Sequence, residues 1–266
     1  PREVSMPEWL LPAASWLALA VAGVAAGLIN VVAGGGSFLS LPVLIFLGLP
    51  ATLANGTNRV AILLQNVAAV RGFHRHRVLD WRWALAASVP AVAGAVLGTW
   101  AALRIGDEAF ERVLALLMVA VSLWTLLGPG GRKREEGTAE DTAEAATPRS
   151  PWSPGLVAAF FVIGLYGGFV QAGVGFLLLA ATTWAGLDLV RGNAIKVLAI
   201  LVFTGVSLAI FAAGGEIDWL AGLVLGAGSV VGGQLGVRLT VLKGHRWVKA
   251  VVTGAVIAFA VLLWVT

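Results

Sequence analysis

Two stretches of this sequence carry polar side chains among neighbours that are nearly all apolar. The first, 27–66, reads GLINVVAGGGSFLSLPVLIFLGLPATLANGTNRVAILLQN; the second, 168–205, reads GFVQAGVGFLLLAATTWAGLDLVRGNAIKVLAILVFTG. In each, an amide (Asn30, Gln171) precedes a glycine-rich interruption: Gly34, Gly35 and Gly36 in one, Gly173 and Gly175 in the other. Each glycine costs a helix interior about 1 kcal/mol relative to alanine, so these runs predict a break. In an apolar medium a break leaves unpaired N–H groups, tolerable only where they line a cavity or bind something. A helix restarting near Ser37 or Phe176 points its positive end at that break, and free N–H groups with a helix dipole make an anion site. The competing reading is close helix packing at small residues. A triple glycine beside a repeated amide favours the break.

The next helices open with Asn55-Gly56-Thr57-Asn58-Arg59 and Arg191-Gly192-Asn193-Ala194-Ile195-Lys196. Asn55 corresponds to Asn193, and Asn58 to Lys196, with Arg59 alongside. A cation at the centre of a bilayer costs about 2.5–3.5 kcal/mol unless it faces a cavity or a partner. No Asp or Glu stands inside any apolar run. The sequence therefore offers Arg59 and Lys196 no internal counter-ion, and the expected partner is an anion from outside the chain. Snorkelling to the headgroups is the competing account. It suits Arg191, beside Asp188, better than Arg59 or Lys196, which stand one to two turns inside their helices.

The composition sets the medium in which these residues work. Of 266 residues, 59% are hydrophobic and 12% charged, against about 45–50% and 25% in soluble domains; mean hydropathy is +0.90. Too little charge remains to cover a water-facing surface, which excludes a soluble enzyme, a nucleic-acid module and a disordered chain. The lipid bilayer is the expected partner. The net charge of +4 lies in short basic clusters between apolar runs, an orientation signal that implies no nucleic-acid partner. Cysteine is absent, which removes disulfides, thiolate metal sites and thiol chemistry. There is no Ser/His/Asp set, no metal-ligand spacing and no phosphate-binding GxxxxGK[ST] loop, so no enzyme activity, metal or cofactor is expected. His74 and His76 fall in a basic loop and read as solvated. The eleven tryptophans fit interfacial belts. Gln65, Asn66, Thr182, Thr183 and Gln234 either line a pathway or bond between helices. A cleaved signal peptide is not expected, because the first apolar run is too long and lacks a basic leader.

A membrane helix needs about 20 mostly apolar residues. Eight runs qualify: 13–33, 51–71, 83–103, 109–127, 154–174, 189–213, 217–241 and 247–265. Two shorter runs, 37–48 and 176–186, are too short to span as straight helices. Residues 128–153 form a polar linker that divides a first transmembrane repeat, 1–127, from a second, 154–266. The halves match. Gly23, Gly27 and Asn30 align with Gly164, Gly168 and Gln171 at an offset of 141. An offset of 138 then relates Gly48/Gly186, Asn55/Asn193, Phe73/Phe211, Asp80-Trp81/Asp218-Trp219, Gly94/Gly232 and Gly98/Gly236. Basic loops decide orientation: parallel copies would put nine Lys/Arg inside against six outside, inverted copies twelve against three. The expected fold is all-α, with two inverted repeats, each of four long helices and one half-helix after the break. Both termini then face outward, and the linker faces the cytoplasm.

These motifs resemble the TauE/SafE family of sulfite and organosulfonate exporters. The likeness rests on the run into Gly34-Gly35-Gly36, on Leu41-Pro42, on the LGLP at 47–50, on the Asn55-Gly56-Thr57-Asn58 helix start, and on the weaker second copy around Gly164–Gly175 and Gly192-Asn193. The family is drawn with eight helices; the half-helices refine that picture. The resemblance implies a secondary transporter in a bacterial or archaeal cytoplasmic membrane, exporting sulfite or a short organosulfonate by alternating access. The expected substrate site lies between the copies. Backbone N–H groups at Gly34–Gly36, Ser37, Gly173 and Gly175 hold oxygens there. Asn30, Asn55, Asn58, Gln171 and Asn193 add neutral hydrogen bonds, and Arg59 and Lys196 supply charge. An anion channel and a permease for a zwitterion such as taurine are the alternatives. A homo-oligomer is compatible with all three.

Overall fold

The computed structural model describes residues 13–110, 112–113, 116 and 149–265, and every regular element among them is α-helical. In chain order these are α1 (Ala13–Val32), α2 (Ser37–Phe46), α3 (Ala51–Arg75), α4 (Trp81–Ala102), α5 (Pro154–Phe169), α6 (Val174–Trp184), α7 (Leu189–Ala213) and α8 (Trp219–Val265). The backbone leaves the helical region inside α8 at Gly244 (φ 69°, ψ −164°). Four stretches are long and apolar enough to cross a membrane: Ser15–Val32, Trp81–Ala102, Leu189–Ala213 and Trp219–Gly244. At 25 residues α3 matches α7 in length, but it carries the polar series from Asn55 to Asn66 and buries it. The short runs form helices of 10 and 11 residues, about 15–17 Å long against a hydrocarbon core of about 30 Å.

Two boundaries differ from the sequence reading. The run 154–174 is helical only to Phe169, because Val170 is extended (φ −133°, ψ 122°), and the helix resumes at Val174 instead of Phe176. The run 109–127 falls almost wholly outside the described residues. Helix starts follow local chemistry. The Asp80 carboxylate accepts from the N–H groups of Arg82 and Trp83 at 3.0 and 3.2 Å, and Asp188 from Val190 and Arg191 at 2.9 and 3.0 Å. Both satisfy orphan donors of a first turn.

Close contacts fix the helix directions. Gly228 and Gly232 of α8 pack on Ala20 and Val24 of α1, while Gly222 and Gly233 face Val60 and Gln65 of α3; α1, α3 and α8 therefore run the same way. Gly94 and Gly98 of α4 pack on Phe161 and Leu165 of α5, and Leu103 and Thr99 of α4 meet Gly214 and Ser207 beside and within α7, so α4, α5 and α7 also run together. The two sets oppose each other, since Gly56 of α3 meets Phe211 of α7 while Leu63 meets Gly205. The packing is reciprocal: α1 on α8 matches α5 on α4, α3 on α8 matches α7 on α4, and α2 and α6 each sit between the helices that flank them. Exposed Leu17, Val21, Val89, Leu97, Leu223 and Val231 give the outside an apolar face.

Candidate functional site at the crossing of two broken helices

The two interruptions meet. A Cβ placed on Gly34 would lie 2.4 Å from the Gly175 carbonyl carbon, and one on Gly175 would lie 2.3 Å from the Gly34 Cα. Only glycine fits at either position, and Gly34 also needs its φ of +100°. The half-helices α2 and α6 leave this crossing with Phe38 and Phe176 stacked, ring centroids 6.2 Å apart. In the first turns of these half-helices, Phe38 N–H donates to Gly35 O and Phe176 N–H to Gly173 O, both at 3.0 Å. Gly173 caps α6 in the left-handed conformation.

The sequence leaves Arg59 and Lys196 without internal partners; the structure supplies them from the opposite half. Arg59, wholly buried, donates through Nη2 to Gly168 O (2.6 Å) and through Nη1 to Gly167 O (3.2 Å) and Gln171 Oε1 (3.0 Å). Its guanidinium carbon also lies 4.7 Å from the Phe211 ring centroid. Lys196, also buried, donates through Nζ to Asn30 O and Val31 O (both 2.9 Å) and Asn193 Oδ1 (2.6 Å). Asn55 Nδ2 donates to Phe169 O (2.9 Å), and Asn193 Nδ2 to Val32 O (3.0 Å). These oxygens are the last carbonyls of α5 and α1. They have no intrahelical donor and carry the negative end of the helix dipole, where a cation is favourable. Gln171 Nε2 donates on to Thr204 Oγ1, and Thr99 Oγ1 bonds Gly168 O (3.1 Å) and Ser207 Oγ (2.8 Å).

These bonds revise the register between the halves. Asn30, Val31 and Val32 are bound as Gly167, Gly168 and Phe169 are, an offset of 137 and not 141. Both α1 and α5 carry two glycines four residues apart, and sliding by one turn still superposes Gly27 on Gly164 while placing Gly23 against Phe160. In the structural register Asn30 answers to Gly167, not Gln171.

A polar cavity of about 10 Å³ lies beside the crossing, lined by Ala26, Asn30, Gly36, Ser37, Ser40, Asn58, Ala61, Ile62, Gln65 and Ser229. That is room for about one water. It sits at the N-terminal end of α2, and its lining residues are at most 6% exposed. Ser40 Oγ donates to Asn58 Oδ1 (2.7 Å), Asn58 Nδ2 to Ser37 Oγ (3.3 Å), and Asn30 Nδ2 to Gln65 Oε1 (3.3 Å). Of the expected site residues, Asn30, Gly36, Ser37 and Asn58 line this cavity. Gly34, Gly35, Gly173 and Gly175 shape the crossing. Asn55, Arg59, Asn193 and Lys196 bind helix ends, and Gln171 links Arg59 to Thr204. Ser40 and Ser229 gave no signal in the sequence, and Gln65 stood there only as one of several undecided amides.

The chain matches the model of the family described as sulfite exporter TauE/SafE over residues 19–263. It is 29% identical to a protein of Haemophilus influenzae named "Probable membrane transporter protein", over 86% of this chain and 87% of that one. It is 26% identical to the "Probable membrane transporter protein YfcA" of Escherichia coli (85% and 81%), and 25% to YunE of Bacillus subtilis, named the same way (85% and 88%). No solved structure matches it. With a match across both broken helices and the crossing between them, the chain belongs to the sulfite exporter TauE/SafE family, whose relatives carry the name of membrane transporters.

Proposed function

We propose that this chain is a secondary transporter that exports a small sulfur-containing anion, sulfite or a short organosulfonate, across a prokaryotic cytoplasmic membrane. The observation that carries the reading is the close crossing of two broken helices, one from each half, at Gly34 and Gly175. Discontinuous helices whose N-termini point at anionic groups, near the interface of two repeats, are a recurrent transporter design.

The halves act as inverted repeats that rock against each other around this site. Supporting this, α1, α3 and α8 run opposite to α4, α5 and α7, so α1, α3 and α4 of the first half have reversed counterparts in α5, α7 and α8. The basic residues then concentrate at one face. Arg71, Arg75, Arg77, Arg82, Arg149, Arg191, Arg238 and Lys243 fall at the end of the bundle where α3 finishes, together with Asp80 and Asp188, while Arg104, Arg112, Asp107, Glu108, Glu216 and Asp218 lie at the other. Basic residues mark the cytoplasmic side.

The test is efflux of labelled sulfite from proteoliposomes holding the purified chain. Saturable efflux, accelerated by unlabelled sulfite on the far side, is expected of alternating access. Flux that rises without saturation and shows no exchange would point to a channel. No flux of sulfite or of any sulfonate would reject the cargo.

A further inference from the structure

We propose that the chain binds an anionic phospholipid on its flank, in a groove between the last turn of α3 and one face of α8. Arg75 and Arg238 hold the headgroup phosphate, and an acyl chain lies along α8. The groove opens at the end of the bundle where α3 finishes, and the inference does not depend on which cargo is carried.

The groove has a volume of about 610 Å³. Its wall on α8 is Val230, Val231, Gln234, Leu235, Arg238 and Leu242, the four-residue spacing of a single helix face. Val231, Leu235 and Leu242 are exposed. Buried Gly72 and Val237 back the groove; a Cβ on Gly72 would lie 2.8 Å from Val237 Cγ1, so the glycine lets α8 come this close to α3. Gln234 Nε2 donates to Ala68 O at 3.3 Å and ties the two helices together. From Arg238 back to Val230 the wall runs about 12 Å at 1.5 Å per residue. That is most of the half-depth of a hydrocarbon core about 30 Å thick.

Charge identifies the occupant. Arg75 and Arg238 are exposed and line the same groove, and neither has an ion pair or a side-chain hydrogen bond among the described residues. The carboxylates described at that end are engaged elsewhere: Asp80 and Asp188 cap α4 and α7, and Asp188 also meets Arg191 at 3.5 Å. The occupant must therefore be apolar along α8 and anionic above it. Residues 247–265 are apolar but hold no Asp or Glu, and the linker 128–153 holds acids but no apolar run. A second copy pairing through this face would bring the same two arginines against them. A phospholipid joins both properties in one molecule, with its phosphate standing above its chains. Guanidinium groups fork onto phosphate oxygens, and basic pockets between membrane helices take anionic headgroups. A zwitterionic headgroup fits less well, because its ammonium would face the same two cations.

The test is native mass spectrometry of the purified full chain, released from detergent micelles holding equal amounts of dioleoylphosphatidylglycerol and dioleoylphosphatidylcholine. The wild type is expected to retain the phosphatidylglycerol in preference by at least about tenfold. Changing both Arg75→Gln and Arg238→Gln should bring the two lipids to parity. Changing Arg77→Gln and Arg82→Gln removes the same charge from the same end but outside the groove, and should leave the preference as it was. Leu235→Trp fills the wall with both arginines in place, and should lower retention of both lipids severalfold. All five positions are exposed, so the fold should survive each change. Equal retention of the two lipids by the wild type, or retention of neither, would overturn the proposal. An equal loss from the Arg77 and Arg82 pair would mean diffuse charge in place of a site. Retention unchanged by Leu235→Trp, or abolished by millimolar inorganic phosphate, would mean that the arginines hold a free anion and the groove holds no chain.

Discussion

Arg59 and Lys196 each close the broken helix of the other half: Arg59 binds the carbonyls of Gly167 and Gly168 that end α5, and Lys196 those of Asn30 and Val31 that end α1. The exchange ties the halves together at the depth where both helices stop. It also explains how two cations survive inside the bundle without a carboxylate. Each meets the negative end of a helix dipole and carbonyls that no amide reaches.

Lys196→Met should therefore act on stability. The substitution keeps an unbranched stem but removes three donors and leaves the Asn30 and Val31 carbonyls unpaired. Breaking charged hydrogen bonds of this kind costs roughly 2–4 kcal/mol. The check is the melting temperature of the purified chain in detergent, which should fall clearly below that of the wild type. A melting curve unchanged from the wild type would mean that these bonds hold nothing.

Gly175→Ala should be poorly tolerated, because its new methyl group would stand 2.3 Å from the Gly34 Cα, and backbone cannot move aside as a side chain can. Gly106→Ala is the control. Gly106 has no positive φ and nothing within 4 Å of an added Cβ, so the change should stay within about 0.5 kcal/mol. Thermal unfolding of the pair should show a large loss for the first and almost none for the second; equal losses would contradict the crossing.

Much of this site was readable in the sequence, and the missing part has a physical cause. The break at Gly34–Gly36 was legible as a triple glycine, whereas the second break falls at 170–173, ahead of Gly175, which lies inside α6; glycine pairs such as Gly167-Gly168 and Gly232-Gly233 stay helical. The polar starts of α3 and α7 were legible because an apolar run makes any amide or cation conspicuous. The partners of Arg59 and Lys196 were not. A helix-end carbonyl belongs to every residue type and leaves no mark in the sequence, so the search for counter-ions looked only at Asp and Glu. Four-residue glycine spacing hid the true register by one turn. Ser229 was invisible because a lone serine in an apolar helix commonly satisfies itself on its own backbone, and only the fold brings it to Gln65.

Orientation can be read with single cysteines, since the chain has none of its own. His76 and Ala213 are both exposed, at the end of α3 and the end of α7. These helices run in opposite directions, so the two residues lie on opposite faces. With the arginine-rich end in the cytoplasm, Ala213→Cys should react with a membrane-impermeant maleimide on intact cells. His76→Cys should react only after the cells are opened. The reverse pattern would invert the proposed orientation.

Phe203→Ala tests the packing of the second half beside the break. The Phe203 ring is wholly buried, packed among Ile195, Ala199 and Val174 and against Gly167. A Phe-to-Ala truncation of this kind costs roughly 3–5 kcal/mol through lost contacts and the void left behind. An apolar void of that size stays dry, so water does not make good the loss. The variant should melt well below the wild type in detergent, once elution as a single species has verified the fold. A melting temperature unchanged from the wild type would mean that α5, α6 and α7 do not close on this ring.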